Sequence, residues 1–156
     1  MKSLAEIVLY PSFWAIGFHR VAHFLYGLKA FFLARLIASF ARLLTGIEIH
    51  PGAVIGKYCF IDHGMGVVIG ETSVIGENAT IYHGVTLGST GKRSDGRRHP
   101  VLGDNILIGA YAQLIGAINI GDGAIIGAGS VVLKDVAANE TVVGNPARRL
   151  VKKIKN

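Results

Sequence analysis

From Ile49 onward a large aliphatic residue returns every six positions. It runs through Ile49, Ile55 and Ile61, slips by two residues, and resumes at Ile69, Ile75, Ile81 and Leu87. After a longer break it continues through Leu102, Ile108, Leu114, Ile120, Ile126 and Val132. Glycine often follows it, as at Gly56, Gly70, Gly76, Gly88, Gly103, Gly109, Gly121 and Gly127. Four positions after it stands a small or apolar residue, such as Ala53, Cys59, Ser73, Ala79, Ala112 or Ser130. A helix returns a face every 3.6 residues or so, and a period of six does not fit it. The period fits a solenoid of short strands, each turning one aliphatic side chain inward: a parallel β-helix. The glycines are expected at the corners between strands, where a positive φ is often needed.

Two interruptions break the pattern. One is the slip at Asp62-His63-Gly64-Met65-Gly66-Val67; the other is the polar stretch from Gly88 to Val101. A regular solenoid that extrudes one polar loop is expected to use it. The chain before the repeats has a different rhythm. Val21, Leu25, Leu28, Phe32, Leu36, Phe40 and Leu43 are spaced by three or four, which predicts a helical stripe. Ser12 is placed to cap a helix start and Thr45-Gly46 to stop one. The fold class expected is therefore α+β. A helical segment spans 1–45, a β-helix 46–147 with one extruded loop, and a basic tail 148–156. The helices are expected to cap the first coil and pack between subunits. Arg20, Lys29, Arg35 and Arg42 also leave open a helix lying on an anionic membrane surface.

Composition narrows the setting. The chain has 156 residues, 51% hydrophobic and only 17% charged, with a mean hydropathy of +0.46. Such apolar content implies either a membrane protein or one that hides surface in an oligomer. The longest apolar stretch, Phe24 to Leu44, is interrupted by Lys29, Arg35 and Arg42, which favours the oligomer over a membrane span. The first apolar run lacks a basic lead-in and a cleavage site and contains Pro11, so no signal peptide is expected. Cys59 is alone, which excludes an internal disulfide and suits a cytoplasmic location. The net charge is +6, much of it from Arg148, Arg149, Lys152, Lys153 and Lys155. That balance suits an anionic partner. No nucleic-acid module is present, and no aromatics interleave with the bases, so no nucleic-acid partner is expected.

The candidate chemistry gathers at the interruptions. His63 lies in the slip behind Asp62, and His99 ends the polar loop behind Arg97 and Arg98. Histidine is the natural proton acceptor near neutral pH, and a carboxylate orients it. Asp62 and Glu48 are both candidates for that carboxylate. With an 18-residue coil, residue 48 would stack beneath residue 66, close to His63. His19 and His23 stand four apart on the predicted helix, but no third ligand is evident, so no metal is expected. His50 and His83 are read as corner or subunit-face residues. No GxSxG elbow and no P-loop occur.

Several blocks then become specific. Gly46-Ile47-Glu48-Ile49-His50-Pro51, Asp62-His63-Gly64-Met65-Gly66-Val67-Val68-Ile69-Gly70-Glu71-Thr72, Gly84-Val85-Thr86-Leu87-Gly88-Ser89-Thr90-Gly91-Lys92 and Arg98-His99-Pro100 resemble bacterial serine O-acetyltransferase. This is a family within the hexapeptide-repeat acyltransferases. The resemblance extends through Ile126–Val132 and Gly144-Asn145-Pro146-Ala147-Arg148. It implies a left-handed coil of three hexads per turn and acetyl transfer from acetyl-CoA to L-serine, as a step of cysteine biosynthesis. His63 would be the base and Glu48 the carboxylate of its dyad, often Asp in the family. Asp62, Arg98 and His99 would hold serine. Backbone near Gly88, Ala110 and Ala128 would line the coenzyme A channel. Attack would be direct, without an acyl-enzyme.

The sequence also departs from the family pattern. The family usually carries a longer helical N-terminal part, with an Asp-Pro-Ala stretch for the serine amino group. It also has a longer tail that docks into the next enzyme of cysteine synthesis. Neither is found here, and GGTGK reads GSTGK. A homotrimer, or a dimer of trimers, is expected without a cysteine-synthase complex. A hydroxyl or amine of another acceptor, such as a sugar, is the alternative substrate.

Overall fold

The computed structural model describes residues 8–91 and 96–150. Among these residues two helices, α1 (Pro11–Gly27) and α2 (Phe31–Thr45), precede fifteen short strands. These are β1 (Glu48–Ile49), β2 (Val54–Ile55), β3 (Phe60–Asp62), β4 (Val68–Ile69), β5 (Val74–Ile75), β6 (Thr80–Tyr82) and β7 (Thr86–Gly88). After the polar loop come β8 (Val101–Leu102), β9 (Leu107–Ile108), β10 (Gln113–Ile115), β11 (Asn119–Ile120), β12 (Ile125–Ile126), β13 (Val131–Val132), β14 (Thr141–Val143) and β15 (Arg148–Arg149).

Up to β13, every third strand joins the same sheet, which makes a three-sided prism. One sheet runs β1-β4-β7-β10-β13, the second β11-β8-β5-β2 and the third β15-β14-β12-β9-β6-β3. All pairs are parallel except β14 with β15. This is a left-handed parallel β-helix built on hexapeptide repeats. The repeat aliphatics fill its axis: Ile61, Ile81, Leu87, Ile108, Leu114 and Ile126 are fully buried. The small residues four places on, including Ala53, Ser73, Ala79, Ala112, Ala124 and Ser130, fill the corners completely.

The coil lengths record the two interruptions. In the first coil Glu48 pairs with Val68, an offset of 20 residues. In the second Val68 pairs with Thr86 at 18, but Val74 pairs with Val101 at 27, because the polar loop leaves the prism between them. Residue 48 therefore lies beneath residue 68. The expected stacking beneath 66 is corrected by the slip itself: Gly66 N–H donates to Gly46 O at 2.9 Å.

The corners also correct the reading of the glycines. None of the glycines that follow the repeat aliphatics has a positive φ. They are small because the next coil is too close. A Cβ on Gly56 would stand 2.5 Å from the Gly76 carbonyl oxygen, and one on Gly109 would stand 2.5 Å from Ala128 N. The left-handed positions lie elsewhere and stack from coil to coil. Tyr58, Asn78, Asn105, Gly123 and Asn139 form one column, and Gly66, Gly84, Tyr111 and Gly129 another. Asparagine suits the first column because its short polar side chain tolerates this backbone region.

The helices sit across the open first coil. Pro11 opens α1, whose N-cap is Tyr10 without a side-chain cap. Ser12 is not the cap expected. Its Oγ accepts a hydrogen bond from Ile61 N–H at 3.0 Å, which satisfies a solenoid donor that has no coil below it. Arg20 ties α1 to the prism by donating to Ile55 O at 2.6 Å and Gly56 O at 2.8 Å. Gly46 ends α2 with φ +70°, as expected. The predicted stripe is broken at Lys29, φ +61°, and much of it faces outward: Phe32 is 78% exposed and Leu43 82%. Ala15, Ala22, Ala34 and Ala41 are buried instead, since close packing of the helices requires small side chains. Among the described residues no helix is long and apolar enough to cross a membrane.

Candidate functional site

The two-residue slip after β3 turns His63 out of the prism. His63 has φ +60°, and tight bonds hold the turn: Gly64 N–H to Asp62 O at 2.7 Å and Met65 N–H to His63 O at 2.9 Å. The ring is exposed, and its Nε2 lies 4.0 Å from Asp62 Oδ2. The edge-to-face neighbour on the coil above is His83, with centroids 5.7 Å apart, and Tyr111 continues the column at 5.1 Å. Leu9, Tyr10, Pro11, Asp62 and His63 line a cleft of about 460 Å³. Glu48 Oε2 pairs with Arg42 Nη1 at 3.0 Å. The carboxylate beside His63 is Asp62.

Arg98 and His99 are built by a different set of contacts. Thr72, in the corner after β4, is the hub. Its Oγ1 accepts from Arg98 N–H at 3.0 Å and His99 N–H at 3.1 Å. The Thr72 N–H donates to His99 Nδ1 at 3.1 Å. Nδ1 is therefore an acceptor, and the imidazole proton sits on Nε2. Burial, then the Arg98 cation, holds the His99 pKa below its ordinary value, so the ring is neutral at pH 7. Its ring packs on Gly70, where a Cβ would collide with it. The Arg98 guanidinium donates from Nη2 to Glu71 Oε2 at 2.8 Å. Arg97 pins the returning loop to Asn119 Oδ1 at 2.8 Å and Ala117 O at 2.9 Å. Lys92, in the GSTGK stretch, and the tail beyond Leu150 lie outside the described residues.

The candidates thus fall on two edges of the prism. His63 turns the chain from the third sheet to the first, and Ala110 and Ala128 lie on that same edge. Gly88 ends β7 and leads into the edge from the first sheet to the second, where Arg98 and His99 stand. A whole face of the prism separates the two groups. Glu71, Thr72 and Tyr26 were not singled out from the sequence. Glu71 and Thr72 did lie within the block that carries the family resemblance, beside Ile69-Gly70.

Cys59 stands just before β3 and packs against the core; burial pushes its thiol up to about 11, which leaves it a poor nucleophile. Among the described residues no cluster of three or more His, Cys, Asp or Glu side chains could hold a metal ion.

A prism of six-residue sides with a histidine at a slipped corner defines the class of hexapeptide-repeat transferases. Residues 99–134 match the bacterial transferase hexapeptide model of six repeats, and residues 66–90 match the hexapeptide repeat of succinyl-transferase. The chain belongs, more narrowly, to the serine acetyltransferase family. It is 57% identical to the serine acetyltransferase of Bacillus licheniformis over 151 residues, which is 96% of this chain and 69% of the relative. It is 53% identical to that of Helicobacter pylori strain 26695 over 146 residues, covering 94% of this chain and 85% of the relative. Among solved structures, soybean serine acetyltransferase superposes with a TM-score of 0.90 at 51% identity, covering 93% of this chain and 60% of that one. The Brucella abortus enzyme in complex with coenzyme A gives 0.93 at 45% identity, covering 96% and 60%.

Proposed function

We propose that this protein is a serine O-acetyltransferase that moves acetyl from acetyl-CoA to the hydroxyl of L-serine, giving O-acetylserine for cysteine biosynthesis. The observation that carries this reading is the exposed His63 beside Asp62, set in a chain 57% identical to a serine acetyltransferase. His63 takes the hydroxyl proton as the serine oxygen attacks the thioester carbonyl. Backbone N–H donors at the corner stabilise the oxyanion. The carbon–sulfur bond then breaks, and the departing thiolate takes the proton back from His63 to leave as coenzyme A. Asp62 faces the serine amino group. Arg98 meets its carboxylate with a planar guanidinium, and the Nε2–H of His99 donates to the same substrate. Backbone at Gly88, Ala110 and Ala128 lines the path of acetyl-CoA. Glu48 would serve His63 by exchanging its Arg42 partner.

Because His63 and the Arg98–His99 pair occupy different edges, one chain does not close this site. A homotrimer does: one edge of each subunit meets the other edge of its neighbour. The lone cysteine and the co-substrate suit a cytoplasmic enzyme.

The test is thiol release from acetyl-CoA with L-serine set against a panel of sugars and other amino acids. Serine-dependent release is expected, and His63→Ala is expected to lower turnover by about 100-fold or more. Release with a sugar and none with serine would move the function to another acceptor.

A further inference from the structure

We infer that Tyr26, near the end of α1, is a positioning residue for substrate: acting through Glu71, it sets the orientation in which Arg98 meets the acceptor carboxylate. The inference rests on the reading of Arg98 given above. The Tyr26 ring is wedged between two edge-to-face neighbours, Phe31 at 5.0 Å and His50 at 5.7 Å. Its hydroxyl donates to Glu71 Oε1 at 2.9 Å, and the other oxygen of that carboxylate accepts from Arg98 Nη2 at 2.8 Å. Glu71 is thus held at both oxygens, from the helix on one side and from the loop on the other. The Tyr26 hydrogen bond, ahead of the neighbouring His50 and Arg98, holds the Glu71 carboxyl below its usual range, so it stays ionised at neutral pH.

Arg98 is a long side chain with rotamer freedom to lose on binding. The bond from its Nη2 to Glu71 removes much of that freedom beforehand, while its backbone N–H on Thr72 Oγ1 fixes where the side chain starts. Its remaining guanidinium N–H groups carry no hydrogen bond among the described residues and are left for a ligand. Glu71 also has an opposing effect, since its charge weakens the pull of Arg98 on an anion. The two side chains are 44% and 33% exposed, so water screens that repulsion, and preorganisation is the larger effect. The helical pair is thereby a working part of the substrate site, in addition to closing the first coil.

The experiment is steady-state kinetics on the full chain, with L-serine and acetyl-CoA varied in turn. Tyr26→Phe keeps the wedged ring and loses only the hydroxyl; it is expected to raise KM for serine about threefold. Glu71→Ala is expected to raise it about tenfold. KM for acetyl-CoA should hold in both. Tyr26→Phe placed in the Glu71→Ala background should add nothing further, the signature of residues acting through one another. If Glu71→Ala fails to fold, Tyr26→Phe alone decides. An unchanged KM for serine overturns the assignment, and so does a lowered one, which would mean that Glu71 only neutralises Arg98. A parallel rise in both KM values with a fallen Tm would mark a structural role and overturn it as well. Wild-type chain that releases no thiol with serine would overturn the serine reading and this inference together, whereas active wild type with unmoved variants would overturn this inference alone.

Discussion

Gly109 shows what a single side chain decides in this fold. Its φ is ordinary, yet a Cβ there would press on the backbone of Ala128 one coil away. The neighbour is main chain held in a sheet ladder, so it cannot turn aside. Gly109→Ala is expected to cost about 1–3 kcal/mol, read as a lower denaturant midpoint. Gly17, in the middle of α1, has nothing within 4 Å of its missing Cβ. Gly17→Ala should instead stabilise by roughly 0.5–1 kcal/mol, the helix-propensity difference. The position of each repeat glycine was legible in the sequence, but its reason was not. Corner conformation and close approach leave the same mark on a sequence, and only the distances between coils separate them. The Ser12 expectation failed in a similar way. A serine near a helix start signals a free oxygen, not which N–H it will accept from.

Helix α1 buries a titratable group, His19, where it lies on the prism. His19 is 3% exposed, and among the described residues neither ring nitrogen has a hydrogen-bond partner. Burial, followed by the nearby His23 and Arg20, lowers its pKa to about 4. The backbone of Ala53 pulls the other way without making a well-formed hydrogen bond. The folded pKa is below the unfolded value of 6.5, so between the two the unfolded chain binds more protons. This contribution is fully present above about pH 6.5 and is lost as the pH falls toward 4, on the order of 3 kcal/mol in all. Thermal unfolding followed from pH 7.5 to pH 4.5 should show a steep decline in Tm. His19→Leu, which cannot titrate, should flatten it. A decline of the same steepness in the variant would assign the effect to other groups. In sequence His19 and His23 suggested at most a pair of metal ligands. Burial, which sets the behaviour of His19, follows from how α1 lies on Ala53 and Pro51.

At the scale of the whole molecule, two features of the single chain are incomplete. The large apolar residues of α2 face outward, and the candidate site is split between two edges of the prism. The threefold assembly proposed above would account for the second directly. Its test is complementation. Chains bearing His63→Ala and chains bearing His99→Ala should each be nearly inactive alone, and co-expression should restore activity at mixed interfaces. No recovery in mixed trimers, isolated by differential tags, would place both histidines in the service of one chain.

The repeat of six by itself determined a parallel solenoid of short strands, because only an inward residue once per short strand buries a continuous axial core at that spacing; its three sides were implied by the family resemblance. The same regularity exposed the slip at His63 and the loop ending at His99, and the family blocks named the chemistry. The first coil's 20-residue length, the pairing of Glu48 with Arg42, and the Tyr26–Glu71–Arg98 chain were decided only in three dimensions. Each depends on which residues of different coils or of a helix come to lie side by side. A slip of two residues moves every later partner by two, and a helix can lie on the prism with either its large or its small residues inward. Sequence spacing records neither choice, and packing selects between them through the few ångströms available between one coil, the next and the helices that close the end.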